Sequence, residues 1–236
     1  MTLDSSPKLY TLYFDVTADL AHFRDVFAHG FFKTLLAPPR PTVLGMIGAV
    51  LGYSEEEVID NLKDVYVGIK ISSINGYAKE IVTMINQKSN GGRTPVMRTM
   101  LVKPMYRIAV GSTDEVLVRS IRDSLMNPVY PLYLGVSDCL AYIREVSDVI
   151  RTDQAYAKRI SCIVPYDGRM YRTYVKDHSK MIFGPEIVRT VRSFTLTKKG
   201  KSPYEYINLL MFYNCEVEFD EHIVAYRIAG EPICMI

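Results

Sequence analysis

The sequence has few cysteines and no long hydrophobic run. Its 236 residues include four cysteines, with no C-x-x-C pair and no metal-ligand spacing, so neither a zinc site nor a disulfide framework is indicated. The longest strongly apolar stretch, residues 43–53, is much shorter than the ~20 residues that span a bilayer. The first residues lack the basic and apolar regions of a signal peptide. We therefore expect a soluble, cytoplasmic protein with no cofactor, no metal and no membrane contact.

Acidic residues are missing from two long stretches, although the net charge is only +2. Residues 81–113 contain five basic residues and no acid, and residues 187–204 contain another five and no acid. The acids gather in residues 54–64 and 205–231. Charge segregated in this way would let a protein hold an anionic polymer on one side and another protein on the other. Solvated surface loops would give the same pattern, so charge alone leaves both explanations open.

The beginning of the chain predicts a strand followed by two helices. Residues 8–18 alternate apolar and polar positions, as a half-buried strand does. After a proline-rich segment, Thr42 is a candidate N-cap for a short buried helix over residues 43–52. Ser54 and Glu57 have the spacing of a capping box, which predicts a second helix from that point.

A hairpin and a third helix follow. Residues 76–88 and 96–107 predict two arms joined by Asn90-Gly91-Gly92, a sequence suited to a tight turn. The many polar and basic side chains of the arms favour a protruding hairpin. Residues 113–126 predict a helix, and its expected apolar face consists of Val116, Leu117, Ile121 and Leu125.

The predicted fold class is α+β. The order of elements matches a ferredoxin-like (RRM-like) β-α-β-β-α-β domain with an inserted β-hairpin thumb, a fold widely used to bind RNA. We assign residues 1–146 to this domain, with the thumb at about 76–106, and residues 147–236 to a strand-rich carboxy-terminal region packed on it. The strands expected in that region cover residues 159–165, 170–175, 186–196, 206–213 and 223–228.

Small residues line one face of the first predicted helix. Gly45, Gly48, Ala49 and Gly52 are spaced at i, i+3, i+4 and i+7, and each glycine inside a helix costs about 1 kcal/mol relative to alanine. Two explanations remain, namely close packing inside the fold or the approach of a ligand backbone. Amide groups at the helix start could also receive a phosphate, with Arg40 beside it.

Two motifs resemble one protein family. The first is Thr42-x-x-Gly45-Met46 with a following Leu-Gly pair, preceded by Phe23-Arg24, and the second runs from Asn127 to Gly135 with Ser137-Asp138 after it. Together they resemble Cas-five proteins, the RAMP-superfamily subunits of type I CRISPR Cascade complexes. The resemblance covers about residues 8–145, whereas the last ninety residues match only in length and strand-rich character.

The resemblance implies a non-catalytic RNA-binding subunit in antiviral defence. Cas-five proteins hold the 5′ handle of the crRNA, cap the filament of backbone (Cas-seven-type) subunits and contact the large (Cas-eight-type) subunit, so that target DNA is engaged only indirectly. The RNA-binding residues expected on this basis are Arg24, Lys33, Arg40, Thr42, Gly45, Lys88, Arg93, Arg98, Lys103, Tyr133 and Gly135. The thumb cations among them would contact phosphates, unless they are only solvated charge.

One branch of the family cleaves repeat RNA with a lysine–histidine pair on the thumb and a tyrosine. Here Lys103 is followed by Pro104, and no histidine occurs between His29 and His178. A general acid–base for ribose chemistry is therefore not expected near the hairpin, and we predict that RNA cleavage is absent. A crRNA-processing endoribonuclease and a free-standing single-strand RNA-binding protein remain as alternatives.

Overall fold

Antiparallel strands dominate the chain. The computed structural model describes residues 8–86, 92–197 and 200–236. The first 146 residues contain β1 (Leu9–Ala18), β2 (Leu20–Ala21), α1 (Arg40–Leu51), α2 (Glu55–Asn61), β3 (Tyr66–Ser73), β4 (Gly76–Asn86), β5 (Gly92–Val102), β6 (Met105–Ser112), α3 (Glu115–Met126) and β7 (Ala141–Val146). The remainder contains β8 (Ile150–Thr152), β9 (Gln154–Ile160), β10 (Val164–Pro165), β11 (Tyr171–Val175), β12 (Phe183–Thr197), β13 (Gly200–Tyr213), β14 (Cys215–Ile228) and β15 (Glu231–Ile233). The predicted α+β class is confirmed. No helix within the described ranges is long and apolar enough to cross a membrane.

The central sheet is built around β1. Four strands lie in the order β3-β6-β1-β7, β8 also pairs with β1, and every pairing is antiparallel. The alternation predicted for residues 8–18 is confirmed over most of the strand, because Phe14 and Val16 are buried between partly exposed neighbours. Burial of each such side chain stabilises the fold by about 1.5–3 kcal/mol. Helices α1 and α3 supply Ile47 and Ile121 to the same buried cluster.

Helix α1 begins two residues before the predicted cap. Its N-cap is Pro39, and no side chain caps it, so the assignment of Thr42 as N-cap is wrong. Pro41 lies in the first turn, where its fixed φ suits a helix. The helix ends at Gly52, whose φ of 77° is left-handed and is readily adopted by glycine.

The small-residue face of α1 has two different environments. A Cβ on Gly48 would lie 2.2 Å from Cγ2 of Val58, so this glycine allows α2 to pack closely against α1. A Cβ on Gly45 would meet nothing within 4 Å, and this part of the helix is open. Close packing inside the fold therefore explains Gly48, whereas the approach of a ligand backbone at the open Gly45 stays a prediction.

The other helices follow their local signals with one exception. The capping box of Ser54 and Glu57 is confirmed at the start of α2. In α3 the buried positions are Val118, Ile121 and Leu125, whereas Val116 is 76% exposed. The prediction that Val116 belongs to the apolar face is wrong, because the buried face follows the 118, 121 and 125 spacing of a single helical stripe.

The thumb is a two-stranded hairpin of β4 and β5. Its register runs from Gly76 opposite Val102 to Asn86 opposite Gly92, and most of its side chains are exposed. The second arm begins at Gly92 rather than at residue 96 and ends before β6 starts. Lys88, Asn90 and Gly91 of the predicted connection lie outside the described residues, whereas Gly92 already belongs to β5.

A second long hairpin is formed by β12 and β13. Its strands extend beyond both predicted ranges and pair from Phe183 opposite Tyr213 to Thr197 opposite Gly200. Val188 and Leu209 at its base belong to the same core cluster as the central sheet. The division of the chain between residues 146 and 147 stays a prediction.

The two environments of the α1 glycines predict opposite tolerance to substitution. Gly45→Met and Gly48→Met gain the same helix propensity, but only the second side chain must displace Val58. We expect Gly48→Met to unfold with a free energy about 1–3 kcal/mol below that of Gly45→Met. Urea unfolding measures both, and equal values would contradict the packing role of Gly48.

Candidate nucleic-acid interface

A cleft of about 450 Å³ lies where five segments meet. Its walls come from the loop of residues 22–35, the start of α1, strand β5, the turn at Gly135, and the second hairpin. Three cations line it, namely Arg24, Arg98 and Arg189, and we call it the arginine cleft. The only acid among its lining residues is Asp25, so the lining carries a net positive charge.

An adjoining groove of about 750 Å³ extends along α1. Pro41, Thr42 and Phe194 line both the cleft and the groove, so the two are continuous. Its further lining includes Gly45 and three tyrosines, Tyr53, Tyr130 and Tyr133, for which we call it the tyrosine groove. Tyr130 and Tyr133 are 56% and 45% exposed, so they face this groove rather than fill the core.

Arg24 is presented on a flat support. Its guanidinium carbon lies 4.6 Å from the centre of the Phe32 ring, and the residue is exposed. A guanidinium placed over a ring can keep N–H groups available for an anion such as a phosphate. Phe32 is itself fixed by backbone hydrogen bonds to Met97 and Thr99 in β5. Arg24 is therefore positioned for contact with a phosphate in the cleft.

Arg98 reaches the cleft from the base of the thumb, but it is paired with acids. Its Nε donates to Glu80 at 2.6 Å, and Asp138 lies 3.8 Å from its guanidinium. Glu80 is directly opposite Arg98 in the hairpin and one position before the acid-free stretch. An anionic ligand would thus compete with Glu80 for this cation.

Gly135 allows a close backbone contact that shapes the cleft. Its φ is 93°, and a Cβ there would lie 1.8 Å from the carbonyl oxygen of His22. The amide of His22 in turn donates to the carbonyl of Leu134 at 3.2 Å. No other residue type fits this position, so Gly135 fixes the start of the loop that carries Arg24.

A histidine does lie beside the thumb, which the order of residues in the sequence did not indicate. His22 is 3% exposed, and its Nδ1 donates to the carbonyl oxygen of Thr99 in β5 at 2.8 Å. Burial is the main cause that lowers the pKa of His22 from its ordinary value of 6.5, and the nearby Arg98 and Arg24 lower it further. The expectation that no imidazole is close to the hairpin is therefore wrong, although this ring is buried and neutral.

Arg40 is a structural residue rather than an exposed ligand. It is 9% exposed, and its guanidinium donates to the backbone carbonyls of Lys63 and Val65 at 2.8 Å and of Arg192 at 3.3 Å. The helix start beside it also has few available donors. Pro41 has no amide hydrogen, and the amides of Thr42 and Val43 both donate to the Pro39 carbonyl. The expected phosphate site at this helix start is not supported.

The other predicted cations are not brought into the cleft. Lys33 pairs with Glu186 at 2.6 Å, Arg93 is exposed near the far end of β5, and Lys103 is exposed at the turn between β5 and β6. Lys88 lies outside the described part of the chain. Of the predicted site residues, those that line the cleft or the groove are Arg24, Thr42, Gly45, Arg98, Tyr133 and Gly135.

The second hairpin contributes lining residues that the sequence-based site did not include. Arg189, Phe194 and Tyr204 lie in the cleft, and the acid-free stretch of residues 187–204 was the signal that pointed to them. Thr190 also lines the cleft, is 3% exposed and has a hydroxyl without a hydrogen-bond partner among the residues described.

Residues 11–192 match the model of a family described as CRISPR-associated protein (Cas_Cas5). This match covers well over half of the chain, so the protein belongs to the Cas-five family. The resemblance inferred from the two sequence motifs is confirmed. No curated protein matched the sequence.

Solved CRISPR proteins have similar folds. One, described as a CRISPR protein from Archaeoglobus fulgidus, is 13% identical with a TM-score of 0.55, and the alignment covers 95% of this chain and 98% of that chain. A chain described as part of a CRISPR RNA-guided surveillance complex is 14% identical with a TM-score of 0.53, covering 91% of both chains. A crystal structure described as a Cas protein is 22% identical with a TM-score of 0.39, covering 54% of this chain and 57% of that one. At these identities the likeness to the first two structures shows the fold alone.

The environment of His22 predicts a pH-dependent contribution to stability. The folded state keeps this ring neutral, whereas the unfolded chain binds a proton below about pH 6.5. Proton binding therefore favours the unfolded state as the pH falls. The stabilising contribution of the neutral His22 ring is fully present only above about pH 6.5. We expect the difference in unfolding free energy between the wild type and His22→Gln to decrease between pH 7.5 and pH 5. Urea unfolding across this range tests it, and a constant difference would contradict a depressed pKa.

Proposed function

We propose that this chain is the non-catalytic subunit of a type I CRISPR surveillance (Cascade) complex that binds the 5′ handle of the crRNA. The observation that carries the proposal is the convergence of Arg24, Thr42, Arg98 and Gly135 on one positively charged cleft. These residues come from separate segments of the chain. Membership of the Cas-five family supports the same role, as does the fold shared with a chain of an RNA-guided surveillance complex.

The first 146 residues are best described as a ferredoxin-like RAMP domain. The order β3-β6-β1-β7, with α1 and α3 in the connections, supports this assignment because a β-α-β-β-α-β module requires that arrangement. The thumb then occupies the connection between the second and third core strands. Such a position lets a hairpin extend from the sheet without disturbing it.

RNA would enter this protein along two connected surfaces. Phosphates would lie in the arginine cleft, where Arg24 and Arg98 supply charge, and the strand would continue past Thr42 into the tyrosine groove. The open face at Gly45 lets a ribose–phosphate backbone approach α1 closely. Unpaired bases would contact Tyr133 and its neighbours in the groove.

The remaining surfaces would contact protein partners. The thumb would reach toward the adjacent backbone subunit as this protein caps the filament, and the large subunit would engage another face. Acidic residues of the carboxy-terminal region are candidates for a protein contact, since Asp220 and Glu221 are exposed on β14. In this role target DNA is approached only through the assembled complex, in the cytoplasm.

We expect the cations of the cleft to act through phosphate contacts. Arg24→Gln and Arg98→Gln should each reduce the magnitude of the slope of log affinity against log salt by about 0.7, the value for one phosphate of a single strand. Fluorescence anisotropy with a short labelled single-stranded RNA over a KCl series measures this slope.

Arg119→Gln is the matched control for this experiment. Arg119 is an exposed arginine of α3 that pairs with Glu115 at 2.6 Å, much as Arg98 pairs with Glu80. Its loss should leave the slope unchanged. If substitution of Arg24 and Arg98 leaves the salt slope unchanged, or if substitution of Arg119 changes it equally, the cleft is excluded as the RNA site.

The protein should leave repeat RNA intact. His22 is buried and neutral, so it is poorly placed to exchange protons with a bound ribose. Incubation of the purified protein with repeat RNA in EDTA should give no change in length on a denaturing gel, whereas ribonuclease A cuts the same RNA. A specific product that disappears in a Lys103→Ala variant would establish the endoribonuclease alternative.

Isolation from the native host separates the proposal from a free-standing RNA-binding protein. A subunit should co-purify with crRNA and with backbone and large subunits. A monomer that carries RNA but no other protein would favour the free-standing alternative.

A further inference from the structure

Aromatic rings form a continuous row on the second hairpin, beside the arginine cleft. Phe194 and Tyr204 lie opposite each other with ring centroids 6.0 Å apart. Tyr204 and Tyr206 stack at 6.3 Å with an interplanar angle of 29°. Phe27, from the loop that carries Arg24, continues the row at 5.5 Å from Tyr206. We call these four residues the aromatic ladder.

Arg189 adds a cation to the ladder. Its guanidinium carbon lies 4.7 Å from the centre of the Tyr206 ring and 5.7 Å from that of Phe27. Arg189 also lines the cleft, so the ladder and the cations form one surface.

The ladder exposes more apolar surface than a hairpin needs for its own pairing. Cross-strand ring pairs stabilise antiparallel strands, yet Phe27, Tyr204 and Tyr206 each remain 42–43% exposed. Exposed apolar surface that is contiguous with a charged cleft is typical of a binding site. Thr190 also lines the cleft, and its buried hydroxyl has no hydrogen-bond partner within the described ranges.

We propose that the aromatic ladder stacks unpaired bases of a single-stranded RNA whose phosphates lie in the arginine cleft. The inference rests on the proposed RNA-binding function and adds a base-stacking subsite to it. Flat rings accept the face of any base, so this contact is largely independent of sequence. The lining of the cleft, with three arginines and one acid, complements a polyanion better than an apolar protein segment.

Tyr204→Leu removes the flat ring and keeps most of its apolar volume. With a labelled single-stranded oligoribonucleotide, we expect its affinity to fall about five- to hundred-fold, the range for loss of one stacked base. The salt slope should not change, because the ring carries no charge. Tyr204→Phe should bind as the wild type does. An oligomer with abasic sites should bind the wild type and Tyr204→Leu equally, because it offers no base to stack.

Tyr174→Leu is the matched control. Tyr174 is 39% exposed on β11, in a different sheet, and the guanidinium carbon of Arg159 lies 4.5 Å from its ring centre. This variant should bind as the wild type does, and thermal melting verifies that all three variants fold.

The outcomes separate the two proposals. If the wild type binds RNA and Tyr204→Leu binds it equally well, or loses affinity equally for the abasic oligomer, the stacking subsite is wrong and the RNA-binding function stands. If the wild type binds no single-stranded RNA, the proposed function itself fails. A partner protein whose binding depends on Tyr204 while RNA affinity does not would also overturn the stacking subsite.

Discussion

The geometry of the cleft depends on one loop, residues 22–35, which is held between Gly135 on one side and β5 on the other. On one side the carbonyl of His22 lies against Gly135, where a Cβ would be only 1.8 Å from its oxygen. On the other side Phe32 accepts a hydrogen bond from the amide of Thr99 at 3.0 Å, and the imidazole of His22 donates to the Thr99 carbonyl at 2.8 Å. Each contact involves a backbone atom of the neighbouring segment, so the loop is held against both Gly135 and β5. The arginine carried by this loop is positioned before any ligand arrives, which reduces the entropic cost of binding.

Local patterns in the sequence predicted local structure well. The capping box at Ser54 and the alternation of β1 depend on residues within a few positions of each other, and both are confirmed. The burial of Arg40 depends on carbonyls 23, 25 and 152 residues away, and the contact of His22 with the thumb on a carbonyl 77 residues away. A short stretch of the sequence does not contain these partners. The sequence alone therefore predicts that Arg40 is an exposed cation and that His22 lies far from the thumb.

Charge patterns in the sequence have the same limitation, because the ion-pair partner of a cation can lie in a distant part of the chain. A stretch without acids predicts a basic surface, but the strand opposite it can supply the missing carboxylate, as Glu80 does for Arg98. Lys33 likewise pairs with Glu186, which lies in a distant part of the chain. Exposed or partly exposed ion pairs of this kind contribute about 0–1 kcal/mol. A phosphate contact that releases counterions can therefore replace such a pair at modest cost. While they are paired with these carboxylates, the cations attract weaker anions less strongly.

A β-bulge explains why the second hairpin was missing from the sequence-based site. In a regular strand Phe194 would lie on the face opposite Arg189 and Val191, since side chains alternate. The register shifts between Val191 and Ser193, so that Val191 faces Tyr206 and Phe194 faces Tyr204 on the same side. Alternation alone could not predict this alignment.

Arg40 holds this bulge in place. Its guanidinium donates to the carbonyl of Arg192, the extra residue of the bulge, and also to carbonyls that precede β3. The cation that the sequence suggested as an RNA ligand thus supports the site from behind. It ties the start of α1 to the hairpin whose rings border the cleft. The buried charge of Arg40 thus supports the strand that carries the aromatic rings, while Arg24 remains exposed at the cleft.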